Sequence, residues 1–322
     1  MTKVLASNNN PINVDEHSEQ VDANAGIIYM LIASFCFALT GACTRILRND
    51  IGPIELVLFR NLVGIPFIIY ALYRIPAVQK GGKIALLIFR GVIGTIALYA
   101  FFYSISKIGL AVAITYQQSY PVFLAIMSIF AFGEKLEPKE WLAVLVGFAG
   151  ICMIFFPQIS VSSLSLKSNT IGFSNAVLTG SAYLSIRGLR DYYDTKVIVF
   201  SFMAAGIVLP VISMVIGHFF YNPDFDFIIE KWVWPQWRDL GWVLLLGIAA
   251  LFGQIYLTKA FSHQKTGIIA AVGYSNIVFS ILFGILLSDP IPSLITWLGI
   301  LFVIICGLII AFKKKPPLLP KT

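Results

Sequence analysis

Apolar stretches of about 20 residues recur from residue 26 to residue 312, and about that length is what a helix needs to cross the hydrocarbon of a bilayer. Ten such spans are read, at 26–46, 53–73, 84–105, 109–131, 139–157, 169–187, 196–217, 240–260, 266–287 and 291–312. Turn signals separate them: Asn49-Asp50-Ile51-Gly52-Pro53, Gly81-Gly82 and Gly133-Glu134. The span at 169–187 is the most polar, with Ser174, Asn175, Thr179, Ser181 and Ser185. That polarity suits a helix lining a cavity or shielded by its neighbours.

Composition excludes a water-facing surface. Only 12% of the residues are charged and 58% are hydrophobic, whereas soluble domains run near about 25% charged. The net charge of +7 does not point to nucleic acid. The basic residues are scattered singly through short loops, and the one run, Lys313 to Lys315, follows the last span. Cys36, Cys43, Cys152 and Cys306 fall within apolar stretches without metal spacing, so they read as small hydrophobes. His17, His218 and His263 lie in the tail or loops. No metal and no cofactor is expected.

The segment 1–25 lacks a basic n-region and an apolar h-region. It reads as a disordered tail. An even number of spans puts both termini on one side. The loops on that side then hold fifteen of the 23 basic residues, against six opposite, with Arg60 and Arg90 inside spans. This bias predicts a multi-pass protein of the cell membrane, a bacterial inner membrane, with both termini cytoplasmic.

The two halves resemble each other. Pro121 aligns with Asn276 and Glu134 with Asp289 at a shift of 155, and Trp141-Leu142 aligns with Trp297-Leu298 one residue later. Pro66 and Pro210 occupy similar depths in the second and seventh spans. Five spans per half is an odd number, so the second half enters from the opposite face. The expected fold is therefore all-α and integral to the membrane, with ten transmembrane helices as two inverted five-helix repeats. The expected organisation is a tail at 1–25, a first repeat at 26–157, a linker at 158–168, a second repeat at 169–312 and a cytoplasmic tail at 313–322.

Particular residues carry a family resemblance. They are Arg60-Asn61 in the second span and Phe89-Arg90-Gly91-Val92-Ile93-Gly94 in the third. They continue with Ser119-Tyr120-Pro121-Val122-Phe123, Gly133-Glu134-Lys135-Leu136 and Gly147-Phe148-Ala149-Gly150. In their order and spacing these resemble the drug/metabolite transporter superfamily, specifically its EamA-type ten-helix group, over residues 26–312. The second half departs from that pattern at Asn276, where a proline is usual, and at Ser288-Asp289, where Gly-Glu is usual. The resemblance implies alternating access around a central cavity. It also implies a small organic solute such as an amino acid, a nucleoside or an S-adenosylmethionine-like compound.

Polar side chains in mid-span are costly and mark candidate sites. Thr115, Tyr116, Gln117, Gln118, Ser119 and Tyr120 cluster in the fourth span, with Tyr116, Ser119 and Tyr120 on one helical face by spacing. Tyr274 and Asn276 answer them in the ninth. Tyr99 and Gln254 match at the same shift and suit an amphipathic solute. Arg60 and Arg90 have two readings. Each could snorkel to an interface, on opposite sides, or one could hold a carboxylate or phosphate of the solute. The competing reading of the polar clusters is helix–helix hydrogen bonding.

No acidic residue is expected deep in a span, since Glu55, Glu134, Glu140 and Asp289 sit near ends. That pattern favours exchange, facilitated diffusion or an unusual coupling over the usual proton coupling through an intramembrane carboxylate or histidine. Expected partners are a small-molecule solute and the lipid bilayer, with a homodimer left open and nucleic acid excluded. Alternative functions are a channel or a structural membrane partner. An intramembrane enzyme ranks lower, because no nucleophile–base pair or metal cluster appears at depth.

Overall fold

A computed structural model describes residues 14–77, 80–108, 110–133, 137–159, 166–263, 266–287 and 293–311. Glu134 and Asp289, both part of the expected repeat, lie outside these residues, as does most of the expected linker. The described residues are helical and contain no strand. The helices are α1 (Val14–Leu47), α2 (Pro53–Arg74), α3 (Ile84–Ile108), α4 (Leu110–Gln117), α5 (Tyr120–Phe132) and α6 (Pro138–Ile159). They continue with α7 (Leu166–Leu189), α8 (Thr195–Phe219), α9 (Leu240–His263), α10 (Thr266–Val272), α11 (Ser275–Leu286) and α12 (Leu294–Ala311). Among these residues six stretches are long and apolar enough to cross a membrane: Ala25–Leu47, Pro53–Arg74, Ile84–Lys107, Thr195–Phe219, Trp237–His263 and Ile268–Leu286.

Local chemistry sets the helix ends. Pro53 begins α2 behind an extended Gly52, where its missing N–H is no loss. Asp194 caps α8 by accepting from the Lys196 N–H at 2.8 Å. Gly133 ends α5 at φ 63°, a left-handed conformation that favours glycine. The hydroxyls of α7 turn back onto their own helix, Ser181 to the Val177 carbonyl and Thr170 to the Leu166 carbonyl, both at 2.9 Å. Those hydroxyls are thereby satisfied within the helix. Residues 14–24 form the first turns of α1. Asp15 and Glu16 favour the start of a helix, and no proline or glycine interrupts 14–24.

Two helices expected to be continuous are broken. The fourth span parts into α4 and α5 at Gln118–Ser119, and the ninth into α10 and α11 at Gly273–Tyr274. At the first break Pro121 has no N–H to give the Gln117 carbonyl. The Ser119 and Val122 N–H groups bond three residues back, at 3.1 and 3.2 Å. The second break has the same tightened bonding without a proline. There the Tyr274 and Asn276 N–H groups donate to the Ala271 and Gly273 carbonyls, at 3.2 and 3.1 Å.

The helices pack mainly across the chain. α1 lies against α9, α6 against α12, α3 against α7 and α8, and α2 against α8 and α9. Small residues allow the closest approaches. A side chain at Gly91 would meet the Ser201 carbonyl oxygen at 2.7 Å. Asn61 of α2 donates to its own Val57 carbonyl at 2.7 Å and to the Gly206 carbonyl of α8 at 3.2 Å. Outward faces are apolar: Phe67 and Ile69 on α2, Val211, Ile212 and Val215 on α8, Leu244 and Phe252 on α9. Such a continuous apolar exterior belongs in a bilayer.

The segment 220–236, between α8 and α9, ties several helix ends together. Its Asp226 pairs with Lys107 at the end of α3 and Lys167 at the start of α7, at 2.7 and 2.8 Å. Glu230 accepts from the Ile54 and Glu55 N–H groups at the start of α2, at 2.7 and 3.1 Å. Just beyond the segment, Arg238 pairs with Asp50 at 2.8 Å.

Candidate functional site

A cavity of about 90 Å³ lies where α1, α2, α3, α7, α8 and α9 meet the two helix breaks. Six of the ten candidate residues line it: Arg60, Arg90, Gln117, Tyr120, Gln254 and Asn276. The other four do not. Tyr99 is buried between α3 and α8, with its hydroxyl 3.1 Å from that of Ser213. Tyr116 packs beside Gly172 of α7. Ser119 sits at the first break, outside the lining. Tyr274 is buried in a cluster with Ile114, Ile151 and Ile300.

The helix break explains the split within the fourth span. Tyr116 and Tyr120 would share a face only on an unbroken helix. The tightened bonding at Gln118–Ser119 rotates the later residue away. Tyr120 therefore reaches the cavity and stacks edge-on against Tyr183 of α7, with centroids 5.0 Å apart.

The two breaks touch each other. Gln118 Nε2 approaches the Gly273 carbonyl oxygen at 3.4 Å. A side chain on Gly273 would strike the Tyr120 hydroxyl and the Met30 side chain. Asn276 Nδ2 donates to the Ser34 carbonyl of α1 at 2.9 Å. Gln254 Nε2 lies 3.4 Å from the Thr258 hydroxyl within α9.

Arg60 and Arg90 do not snorkel to opposite interfaces. They are 4% and 1% exposed, and both guanidinium groups lie over the ring of Phe202 on α8, at 5.7 and 4.5 Å from its centroid. Gly94, one turn along α3, leaves the space that Arg90 Nη1 occupies. Arg60 Nε and Arg90 Nε and Nη1 meet no protein acceptor. The lining holds no aspartate or glutamate, and among the described residues no ion pair reaches either arginine.

Sequence reasoning missed Phe202 and Tyr183 as cavity residues, and left Gln118 unassigned within its cluster. Phe202 looks like any other aromatic in an apolar helix. Tyr183 carried a weak signal, because it lies in the most polar span. Glu55 was expected near a span end. It does lie in the first turn of α2, but it is 0% exposed. The strap residue Glu230, which accepts from the Glu55 N–H, closes over it. Burial pushes the Glu230 carboxyl up to about 7, against the opposing effect of the two N–H groups it accepts.

An apolar exterior, several membrane-length helices and a central cavity at two helix breaks describe a multi-pass membrane protein. The EamA-like transporter family matches residues 24–156. An "uncharacterized transporter" of Helicobacter pylori (strain J99) is 32% identical over 292 residues, covering 89% of this chain and 94% of the relative. A pseudopaline exporter of Pseudomonas aeruginosa is 30% identical over 292 residues, covering 90% and 97%. An S-adenosylmethionine uptake transporter of Rickettsia prowazekii is 21% identical over 303 residues, covering 90% and 93%. A solved crystal structure matches at a TM-score of 0.67 and 16% identity, over 91% of this chain and 96% of that one, and shares its fold. The chain belongs to the EamA-type transporters of the drug/metabolite transporter superfamily.

Proposed function

We propose that the chain is a secondary transporter that moves a small organic metabolite through the central cavity by alternating access. In this reading α4 with α5, and α10 with α11, each make one broken crossing, which gives ten crossings. They form two inverted five-helix repeats, 26–157 and 169–312. The breaks at Gln118–Ser119 and Gly273–Tyr274 fall at the same shift of 155 that relates Pro121 to Asn276, which supports the repeat. Broken helices facing a central site are a recurring transporter device, because freed backbone groups can hold a solute and the breaks can bend.

The observation that carries this reading is the cavity itself. Helices from before and after residue 160 line it together, and the two breaks meet at its wall through Gln118 and Gly273. Arg60, Arg90, Gln117, Tyr120, Gln254 and Asn276 are its solute-facing residues. Tyr99, Tyr116, Ser119 and Tyr274 support it from behind. Both termini face the cytoplasm of a bacterial cell by the basic-residue bias. Amino acids and nucleosides are classes to try first, with pseudopaline-like and S-adenosylmethionine-like solutes added from the names of the relatives.

The test is reconstitution of the full chain in proteoliposomes. A carrier gives saturable uptake that internal solute accelerates. Conductance that depends on no solute would instead mark a channel and end this reading.

A further inference from the structure

Resting on the reading of the cavity as the solute site, we propose that Arg60 and Arg90, both held against one shared ring, form an oxyanion anchor. The transported solute is accordingly a small organic anion bearing a phosphate or paired carboxylates. The two guanidinium groups come from different helices, α2 and α3, and converge on Phe202 of α8. Both side chains are more than nine-tenths buried. A guanidinium stays charged inside a protein, and a buried charge is tolerated when a counter-charge or hydrogen bonds compensate it. The described protein supplies neither to Arg60 Nε or to Arg90 Nε and Nη1. The lining contributes amides, hydroxyls and two phenols, among them Gln117, Gln118, Gln254, Asn276, Tyr120 and Tyr183, but no carboxylate. Among the described residues none supplies the counter-charge, and in this proposal the solute brings it.

The form of the donors points to an oxyanion. A guanidinium presents a planar fork that fits carboxylate or phosphate oxygens two at a time. Two forks together match a doubly charged group or a pair of carboxylates. Both guanidinium groups rest against the Phe202 ring, which holds them while Arg60 Nε and Arg90 Nε and Nη1 stay without a protein partner. The Tyr120 hydroxyl also lacks a protein partner and adds a further donor on the same wall. Phe37, Phe101 and Leu98 complete the lining with apolar surface, which suits an organic body attached to the anionic head. A solute whose net charge is positive, such as S-adenosylmethionine, would bring like charge to the pair.

Thermal unfolding of the purified full-length protein tests the assignment, with succinate and glycerol 3-phosphate as probes and succinamide and glycerol as their uncharged counterparts. Ionic strength is matched with chloride. At least one anion raises the melting temperature, and its neutral counterpart does not. Arg60→Gln and Arg90→Gln each weaken that binding by on the order of tenfold or more. Arg90→Lys keeps the charge but loses the fork, so it falls between wild type and Arg90→Gln. Because the pair is uncompensated when empty, the ligand-free glutamine variants melt no lower than wild type.

The same measurement in nanodiscs of zwitterionic lipid alone, then with added anionic phospholipid, separates a soluble solute from a lipid headgroup. Stabilisation by anionic lipid alone overturns the solute assignment. So does failure of every anion to stabilise, or a shift that survives both arginine substitutions. A neutral or cationic stabiliser whose effect is lost in Gln117→Ala or Asn276→Ala would leave the cavity as the solute site and remove only the anion.

Discussion

Glu230 accepts a hydrogen bond from the backbone N–H of Ile54 at 2.7 Å, although the two residues stand 176 apart in the chain. The contact fastens the segment 220–236 onto the start of α2 beside the buried Glu55. The folded carboxyl of Glu230 lies at about 7 against an ordinary value of 4.5, so the native state binds the proton more tightly than the unfolded chain does. Stability from this group is full below pH 4.5 and is lost as the pH rises toward 7. Asp226 is held low by Lys107 and Lys167 against the opposing effect of burial, so it is already ionised across that window. Melting temperatures of wild type should therefore fall between pH 5 and pH 7, and Glu230→Gln, which can still accept through its amide oxygen, should flatten that fall. An unchanged slope in the variant would assign the effect to another group.

Tyr99 is a packing residue with a hydrogen bond to Ser213 and no place on the cavity wall. Tyr99→Phe should lower stability by about 1 kcal/mol while leaving transport half-saturation as it was. Half-saturation that rises severalfold with little change in melting would return Tyr99 to the solute site.

Gly91 and Gly241 separate close packing from mere glycine content. A Cβ at Gly91 meets backbone of α8, whereas at Gly241 nothing lies within 4 Å. Gly91→Ala should destabilise by about 1–3 kcal/mol, and Gly241→Ala should leave the melting temperature level or slightly raised. Denaturation of both variants in the same detergent makes the comparison.

Gly273→Ala places a methyl group against the Tyr120 hydroxyl and the Met30 side chain. It should hinder movement of the two breaks past each other. A barrier raised by about 1.4 kcal/mol slows counterflow about tenfold, and the expected result is a lower maximal rate. Initial-rate uptake over a range of solute concentrations reads this directly.

Helix positions were legible because a bilayer demands length and apolarity together. The expected 84–105 and 196–217 appear as α3 and α8 with ends displaced by three residues or fewer. Pro121 marked a weak point in the fourth span, yet the face drawn through Tyr116, Ser119 and Tyr120 assumed a regular helix, and the break undid it. The break at Gly273 carries no proline, so no local signal announced it. Arg60 and Arg90 were legible as costly residues but not as a pair. Their meeting depends on Phe202, which belongs to a helix whose apolar pattern looks the same on every side. Glu55 was hidden for a similar reason: its cover, Glu230, lies in a segment with no periodicity to place it.

The order of packing also bears on how the chain is assembled. α1 rests chiefly on α9 and α6 on α12, so early helices find their main neighbours only after much more chain has been made. At about 5–20 residues per second, α8 follows α2 by several seconds or more. During that interval Arg60, Asn61 and Arg90 are in the membrane without Phe202 or the Gly206 carbonyl. The newly inserted first helices are thus an assembly intermediate with bare cations facing lipid or the insertion machinery, and the arrival of α8 is the step that shelters them.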